Sequence, residues 1–231
     1  MRTGEYGDHF VPIDQKSARL LDKAEHGLLA LSMFNSYFSQ EVIDFSVAAM
    51  HDRFRTFDVV TPGEQMRSLL EAAGYDQQRA LAKVRKNLSM LRGRTLRAFD
   101  RIGVPRLTAQ AHLLTFDDFR GGTPHDEITA VIREKAEHDN VFRDACLNIS
   151  RRVLRRVDQS RQPTEAELEA TIGYYVSEAA VMTNTADMLG HDSSVTCYRH
   201  VMEFIAPLYE GKLSWRPSEK QGYASLRRPP S

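Results

Sequence analysis

The chain holds only two cysteines among its 231 residues, Cys146 and Cys197. Two thiols cannot build a disulfide framework, and their spacing holds no metal cluster, so they read as reduced thiols, at least one of them buried. No run approaches the ~18 apolar residues of a membrane-spanning helix. Residues 1–22 are polar and mixed in charge; they lack the apolar centre of a secretion signal and the acid-poor character of a transit peptide. The expected location is therefore the cytoplasm. There is no internal repeat and no low-complexity block. No glycine-rich dinucleotide fingerprint follows the first strand-like run, so nicotinamide or flavin binding is not implied. There is no Gly-x-Ser-x-Gly elbow, and the eight histidines show no triad arrangement. No metal site is legible and no cofactor is expected.

What is present is an ordinary globular composition, 42% apolar and 27% charged, long enough for one sizeable core. Strand-like runs fall at 27–32, 57–61, 107–114 and 194–198. Helical patterns fall at 17–26, 40–53, 63–73, 76–101, 126–158 with a break near Asp139-Asn140, 164–188 and 202–210. Pro163-Thr164 with Glu167 reads as a capping box that starts the long helix ending before Gly190. Alternating strands and helices argue for an α/β fold with a parallel sheet flanked by helices. The expected organisation is a variable leader at 1–17, one catalytic domain at 18–217 and a loose tail at 218–231.

Net charge is +0, from 31 basic and 31 acidic residues, yet the charges are segregated. Residues 77–101 carry eight basic side chains and one acid, Asp100. Arg79, Lys83, Lys86, Arg94, Arg97 and Arg101 fall within a sector of roughly 80° on a helix turning 100° per residue. Val84, Leu88, Leu91, Thr95 and Phe99 occupy another face. Solvated faces usually mix signs, because like-charged neighbours destabilise a helix by a few tenths of a kcal/mol per pair. A single-sign stripe instead suits a polyanion backbone. No aromatic interleaves it, which argues against base stacking along this helix. Arg151, Arg152, Arg155, Arg156 and Arg161 form a second cluster that either extends the surface or pairs with the acids at 165–169.

Ser32 lies at the carboxyl end of the first apolar run, where open α/β sheets bind ligands. Leu28 and Ala30 share its face of the strand, and Val60 ends the next strand. Tyr174 and Glu178 are four apart on a helix and share a face. Taken singly, these residues also fit bland roles: a turn serine, core aliphatics, a surface Tyr–Glu pair and, for Tyr198, a structural strand aromatic.

Taken in order, Ser32, Asn35 within Asn-Ser-Tyr-Phe-Ser, Tyr174, Glu178 and Tyr198 after Cys197 resemble the motif of the cyclodipeptide synthases, over about residues 25–215. These enzymes join amino acids from charged tRNAs into diketopiperazines. The resemblance implies a Rossmann-like domain akin to class I aminoacyl-tRNA synthetases, with a parallel sheet of about five strands. It implies Ser32 as nucleophile, Tyr174 and Glu178 as holders of the substrate amine, Tyr198 as proton relay or carbonyl stabiliser and Asn35 as an orienting group. Leu28, Ala30 and Val60 would line the side-chain pocket, and Arg79, Lys83, Lys86, Arg94, Arg97 and Arg101 would meet tRNA. Arg199, after the late Tyr, matches neither large subfamily. The reaction would be ping-pong through two acyl-enzymes, without ATP. Downstream enzymes tailoring the diketopiperazine are implied partners, and no membrane is. Two other readings remain: a noncatalytic tRNA-binding module, and a serine-dependent deacylase of charged tRNA. An ATP-using synthetase is disfavoured by the lack of His-x-Gly-His and Lys-Met-Ser-Lys-Ser segments.

Overall fold

A computed structural model describes residues 9–157 and 162–228. Residues 1–8 of the expected leader, Arg161 and the Arg156 side chain of the second basic cluster, and the closing prolines Pro229 and Pro230 lie outside the described residues.

In chain order the elements are β1 (Phe10–Pro12), α1 (Gln15–Lys23), β2 (His26–Ala30), α2 (Gln40–Arg53), β3 (Thr56–Thr61), α3 (Arg67–Ala72), α4 (Gln77–Arg101), α5 (Arg106–Ala111), β4 (Leu113–Thr115), α6 (Thr123–His138), α7 (Asn140–Val157), α8 (Glu165–Leu189), β5 (Ser194–Tyr198), α9 (Ala206–Tyr209) and β6 (Gln221–Leu226). The six strands form one sheet in the order β1-β6-β5-β2-β3-β4. Five strands are parallel, and β1 runs antiparallel on β6 at one edge. The central strands are buried on both faces, which is why β2 reads as a continuous apolar run, while β5 also buries the hydroxyls of Ser194 and Thr196.

Local signals set most helix ends. Asp14, Ser39, Asp76 and Thr164 each accept a backbone N–H at the start of α1, α2, α4 and α8. The Thr164–Glu167 capping box is reciprocal, and Gly190 closes α8 in the left-handed region at φ 71°. Gly27 permits the close seating of α2 on β2, because a Cβ there would lie 2.4 Å from Met50 Cε and 2.6 Å from the Phe54 ring. Asn184 breaks α8 (φ −145°, ψ 21°), and its amide donates to the Ala180 carbonyl at 3.2 Å.

Three expectations need correction. The apolar run at 107–114 is mostly α5; Leu107 is 82% exposed, and only Leu113–Thr115 joins the sheet. Residues 10–12, expected in a variable leader, form β1. Residues 221–226, expected in a loose tail, form the fully buried β6 between β1 and β5. Both errors have one cause: a strand of three to six residues is stabilised by partners far away in sequence, here Phe10 with Leu226 and Cys197 with Ala224. No helix is long and apolar enough to cross a membrane, among the described residues.

Candidate active site

From the centre of the sheet, β2 leads towards β3 and β4, while β5 leads towards β6 in the opposite direction. The strand order therefore reverses between β2 and β5. Ligands of open α/β sheets bind in the crevice beyond the carboxyl ends at such a switch point. The Leu31 N–H donates to the Val60 carbonyl at 2.9 Å, which carries the pairing one residue past β2 and delivers Ser32 at the rim. Tyr198 is the last residue of β5. The Ser32 and Tyr198 hydroxyls meet at 2.5 Å.

Behind this pair stands α8, whose residues 174–183 are all buried. Tyr174 and Glu178 do share one face, but they are buried, not a surface pair. Burial pushes the Glu178 carboxyl up to about 8, against a hydrogen bond from the Tyr174 phenol that pulls it down. Burial also pushes the Tyr174 phenol well above its usual range, and nearby Glu178 adds to this. Tyr198 is raised by burial, with its bond to Ser32 opposing and Glu178 reinforcing. Near neutral pH the site therefore holds a protonated carboxyl and two neutral phenols.

Asn35 is half-buried in the loop after β2. Its Oδ1 accepts the Tyr37 N–H at 3.1 Å, and its side chain also reaches Tyr198. Leu28, Ala30 and Val60 are at most 2% exposed, and Ala30 is registered against Val60. They form one apolar patch on a sheet face beneath the rim. Arg199 stands over the Tyr37 ring at 4.9 Å and donates from Nε to His200 Nδ1 at 2.9 Å.

The basic helix α4 has a structural task that its sequence did not show. Arg94 Nη1 donates to the Phe38 carbonyl at 2.8 Å, Arg97 Nε to Gln40 Oε1 at 2.9 Å, and Arg101 pairs with Asp44. Gln40 also donates to the Arg94 carbonyl at 3.0 Å. These arginines lace the segment that follows Ser32 onto α4. Arg79 lies 3.8 Å from Asp76. Lys83 donates to the Tyr75 hydroxyl at 2.7 Å. Lys86 and Arg92 are exposed and have no ion pair among the described residues. Of the second cluster, Arg152 pairs with Glu203 at 2.5 Å rather than with the acids at 165–169.

A further polar cluster lies at the opposite, amino end of the strands. Ligand atoms of His26, Asp58 and His191 lie within 4.8 Å of one another. His26 Nδ1 meets Ser194 Oγ at 2.8 Å and its Nε2 meets Asp58 Oδ2 at 3.2 Å, while His112 Nδ1 meets Asp58 Oδ1 at 2.7 Å. His26 and His191 stack at 3.9 Å with planes 17° apart, so their in-plane lone pairs run side by side rather than converging on an ion. Burial raises Asp58, but the bonds and charges of His26 and His112 outweigh it and leave its carboxyl below the usual value. This cluster ties β2, β3, β5 and the turn before β4 together. Its parts are scattered from residue 26 to 194, which is why no spacing in the sequence showed it.

Comparison with known proteins agrees with this geometry. The cyclodipeptide synthase family model matches residues 9–228. The chain is 24% identical over 213 residues to the cyclo(L-leucyl-L-leucyl) synthase of Staphylococcus haemolyticus, covering 90% of this chain and 89% of that protein. Its structure is similar to that of a cyclodipeptide synthase from Bacillus thermoamylovorans, with TM-score 0.87, 25% identity, and coverage of 97% and 99% of the two chains. It also shares its fold, at TM-score 0.76 and 23% identity over 96% and 94% of the chains, with a Mycobacterium tuberculosis protein whose structure was described as relating cyclodipeptide synthetases to type I tRNA synthetases. A match spanning all of the described residues, on a sheet whose switch point carries a paired serine and tyrosine, makes this chain an aminoacyltransferase of the cyclodipeptide synthase family.

Proposed function

We infer that this enzyme takes two aminoacyl-tRNAs and closes their aminoacyl groups into a cyclic dipeptide through acyl-enzymes on Ser32, without ATP. The observation that carries this reading is the 2.5 Å contact of Ser32 with Tyr198 at the switch point, backed by the buried Tyr174–Glu178 pair. A charged tRNA is already an activated ester, so no nucleotide is needed to drive acyl transfer. Ser32 Oγ attacks the ester carbonyl and the ribose oxygen leaves. The hydroxyl proton passes to the Tyr198 oxygen as the phenol proton passes to that ribose oxygen, so Tyr198 ends neutral.

The acyl-enzyme amine is held by Tyr174 and Glu178. An α-amino group titrates near 7.7–8.0. Burial raises the Glu178 carboxyl towards that range, so Glu178 can exchange a proton with the amine it holds. The amine of the acyl-enzyme then attacks the ester carbonyl of the second aminoacyl-tRNA: an amide bond forms, the ribose oxygen of that tRNA leaves with the amine's proton, and a dipeptidyl-enzyme remains on Ser32. The free amine of the dipeptide then attacks the ester that links it to Ser32. An amide bond forms, the Ser32 ester breaks, and Ser32 regains its proton through Tyr198. Leu28, Ala30 and Val60 border the side chain of a bound aminoacyl group, and Asn35 orients its backbone. The exposed cations of α4, Lys83, Lys86 and Arg79 foremost, face the tRNA backbone. Arg94, Arg97 and Arg101 serve it chiefly by holding the loop after Ser32. Enzymes that modify the diketopiperazine would act downstream.

The test is incubation of the purified protein with a pool of aminoacyl-tRNAs, without ATP, followed by mass spectrometry, with Ser32→Ala in parallel. Cyclic dipeptides that require Ser32 are the expected products, and they name both amino acids. Free amino acids alone would mean a deacylase. Salt-sensitive tRNA binding without turnover would mean a binding module.

A further inference from the structure

Phe34 lies two residues beyond Ser32, in the segment laced to α4. It is 38% exposed, although burying such a ring is favourable by roughly 1.5–3 kcal/mol. Its φ is 55°, in the left-handed region, a genuine outlier for a bulky side chain. Strain of this kind persists only where surrounding contacts impose it, and it gathers at functional sites. Here the Phe34 N–H donates to Asn87 Oδ1 of α4 at 3.3 Å. Lys83 Nζ lies 6.0 Å from the centre of the Phe34 ring and 4.4 Å from that of Tyr75, and it donates to the Tyr75 hydroxyl at 2.7 Å. No aromatic of α4 itself interleaves its basic stripe. The fold brings two, from residues 34 and 75, to the same cation.

A flat apolar face beside exposed positive charge suits a ligand that is flat and anionic at once, which describes a nucleotide. Phe34 adjoins the nucleophile, so the nucleotide reaching it would belong to the end of the RNA that carries the aminoacyl group. We propose that Phe34, with Lys83 and Tyr75, forms a platform on which an unpaired base at the 3′ end of the charged tRNA stacks, while Lys83 and Lys86 meet its phosphates. This rests on the reading of the chain as an enzyme that uses aminoacyl-tRNA. The strain has a purpose on this account: it holds an aromatic ring in water until the RNA covers it.

The experiment uses the full chain and two RNA hairpins with one stem, one ending in four unpaired 3′ nucleotides and one blunt. Binding is measured at fixed salt for the wild type, Phe34→Gly and Phe34→Trp. Glycine adopts positive φ freely, so Phe34→Gly should keep or raise the melting temperature. It should weaken binding of the overhanging hairpin by roughly 5- to 150-fold and leave the blunt one unchanged. Phe34→Trp should retain the preference for the overhang. Equal loss for both hairpins, an undiminished preference in Phe34→Gly, or no preference in the wild type would each overturn the platform; capture of neither RNA would do so too. The enzymatic reading fails separately, by absence of a Ser32-linked aminoacyl adduct when the wild type meets charged tRNA.

Discussion

The two ends of the sheet treat a carboxyl in opposite ways. At the amino end Asp58 is held by His26 at 3.2 Å and His112 at 2.7 Å, and its carboxyl sits below the usual value. At the carboxyl end Glu178 has a phenol for company, and burial pushes it up to about 8. The first group is satisfied within the fold, so nothing remains for it to do but hold three strands together. The second is buried, and the side chain that meets it is a neutral phenol. Such a group is stable as the neutral acid and gains most from a ligand that brings a positive charge. Counting buried ionisable groups would rank the ends equally. Asking which one is unsatisfied separates a clasp from a site.

The sharpest way to break that comparison is to disarm each end in turn. Ser32→Ala should abolish cyclic product, by at least about a thousandfold, with the melting curve unchanged. Asp58→Asn should do the reverse. It should destabilise the fold by about 1.5–3 kcal/mol at pH 7 while leaving the turnover of the folded fraction intact. Since the Asp58 carboxyl lies lower folded than unfolded, its contribution is full above its ordinary value of 3.8 and is lost as pH falls through the lower folded value. Denaturant melts of wild type and Asp58→Asn at pH 7 and about pH 2 check this, and equal differences at both would break the assignment.

Glu178→Gln sharpens the contrast from the other side. The Glu178 carboxyl lies higher folded than unfolded, so the folded state binds the extra proton. Its ionisation therefore erodes wild-type stability as pH rises from 4.5 towards 8, the full penalty standing above 8. Stability of Glu178→Gln relative to wild type should climb across that window, as melts at pH 5 and 8.5 would read. Product formation should fall while tRNA affinity holds. Equal loss of both would mean that Glu178 is structural.

Smaller effects divide α4. Arg94→Ala removes the anchor on Phe38 and should lower stability by about 1–3 kcal/mol together with turnover. Lys86→Ala touches no ion pair among the described residues and should leave the melting curve alone. If Lys86 meets a phosphate, its loss should reduce the log–log salt slope of tRNA binding by roughly 0.7–0.9. A slope change confined to Arg94→Ala would reverse the two roles.

Much of this molecule is legible in the chain. The apolar run at 27–31 identifies β2, because a strand buried on both faces reads as nearly continuous apolar sequence, and the β-favouring Val-Thr-Cys-Tyr of 195–198 identifies β5. Thr164, Glu167 and Gly190 mark both ends of α8, because capping is local chemistry. The single-sign stripe of α4 follows from helical period alone. The motif residues were readable as an ordered pattern, though their meeting was not.

What the tertiary structure decided concerns contacts between residues far apart. Tyr174 and Glu178 could equally have been a surface pair, since (i, i+4) spacing fixes a shared face but not what covers it. Burial beneath β5 and the neighbouring helices made Glu178 a weak acid. Half of the stripe proved to be an anchor, because Arg94, Arg97 and Arg101 meet residues 38–44 only when α2 docks on α4. β1 and β6 look like leader and tail until they pair across more than 200 residues. Phe34 and Tyr75 stand beside Lys83 for the same reason. Period and capping act over a few residues and are written in the chain; solvation and pairing act through space and are settled only when it folds.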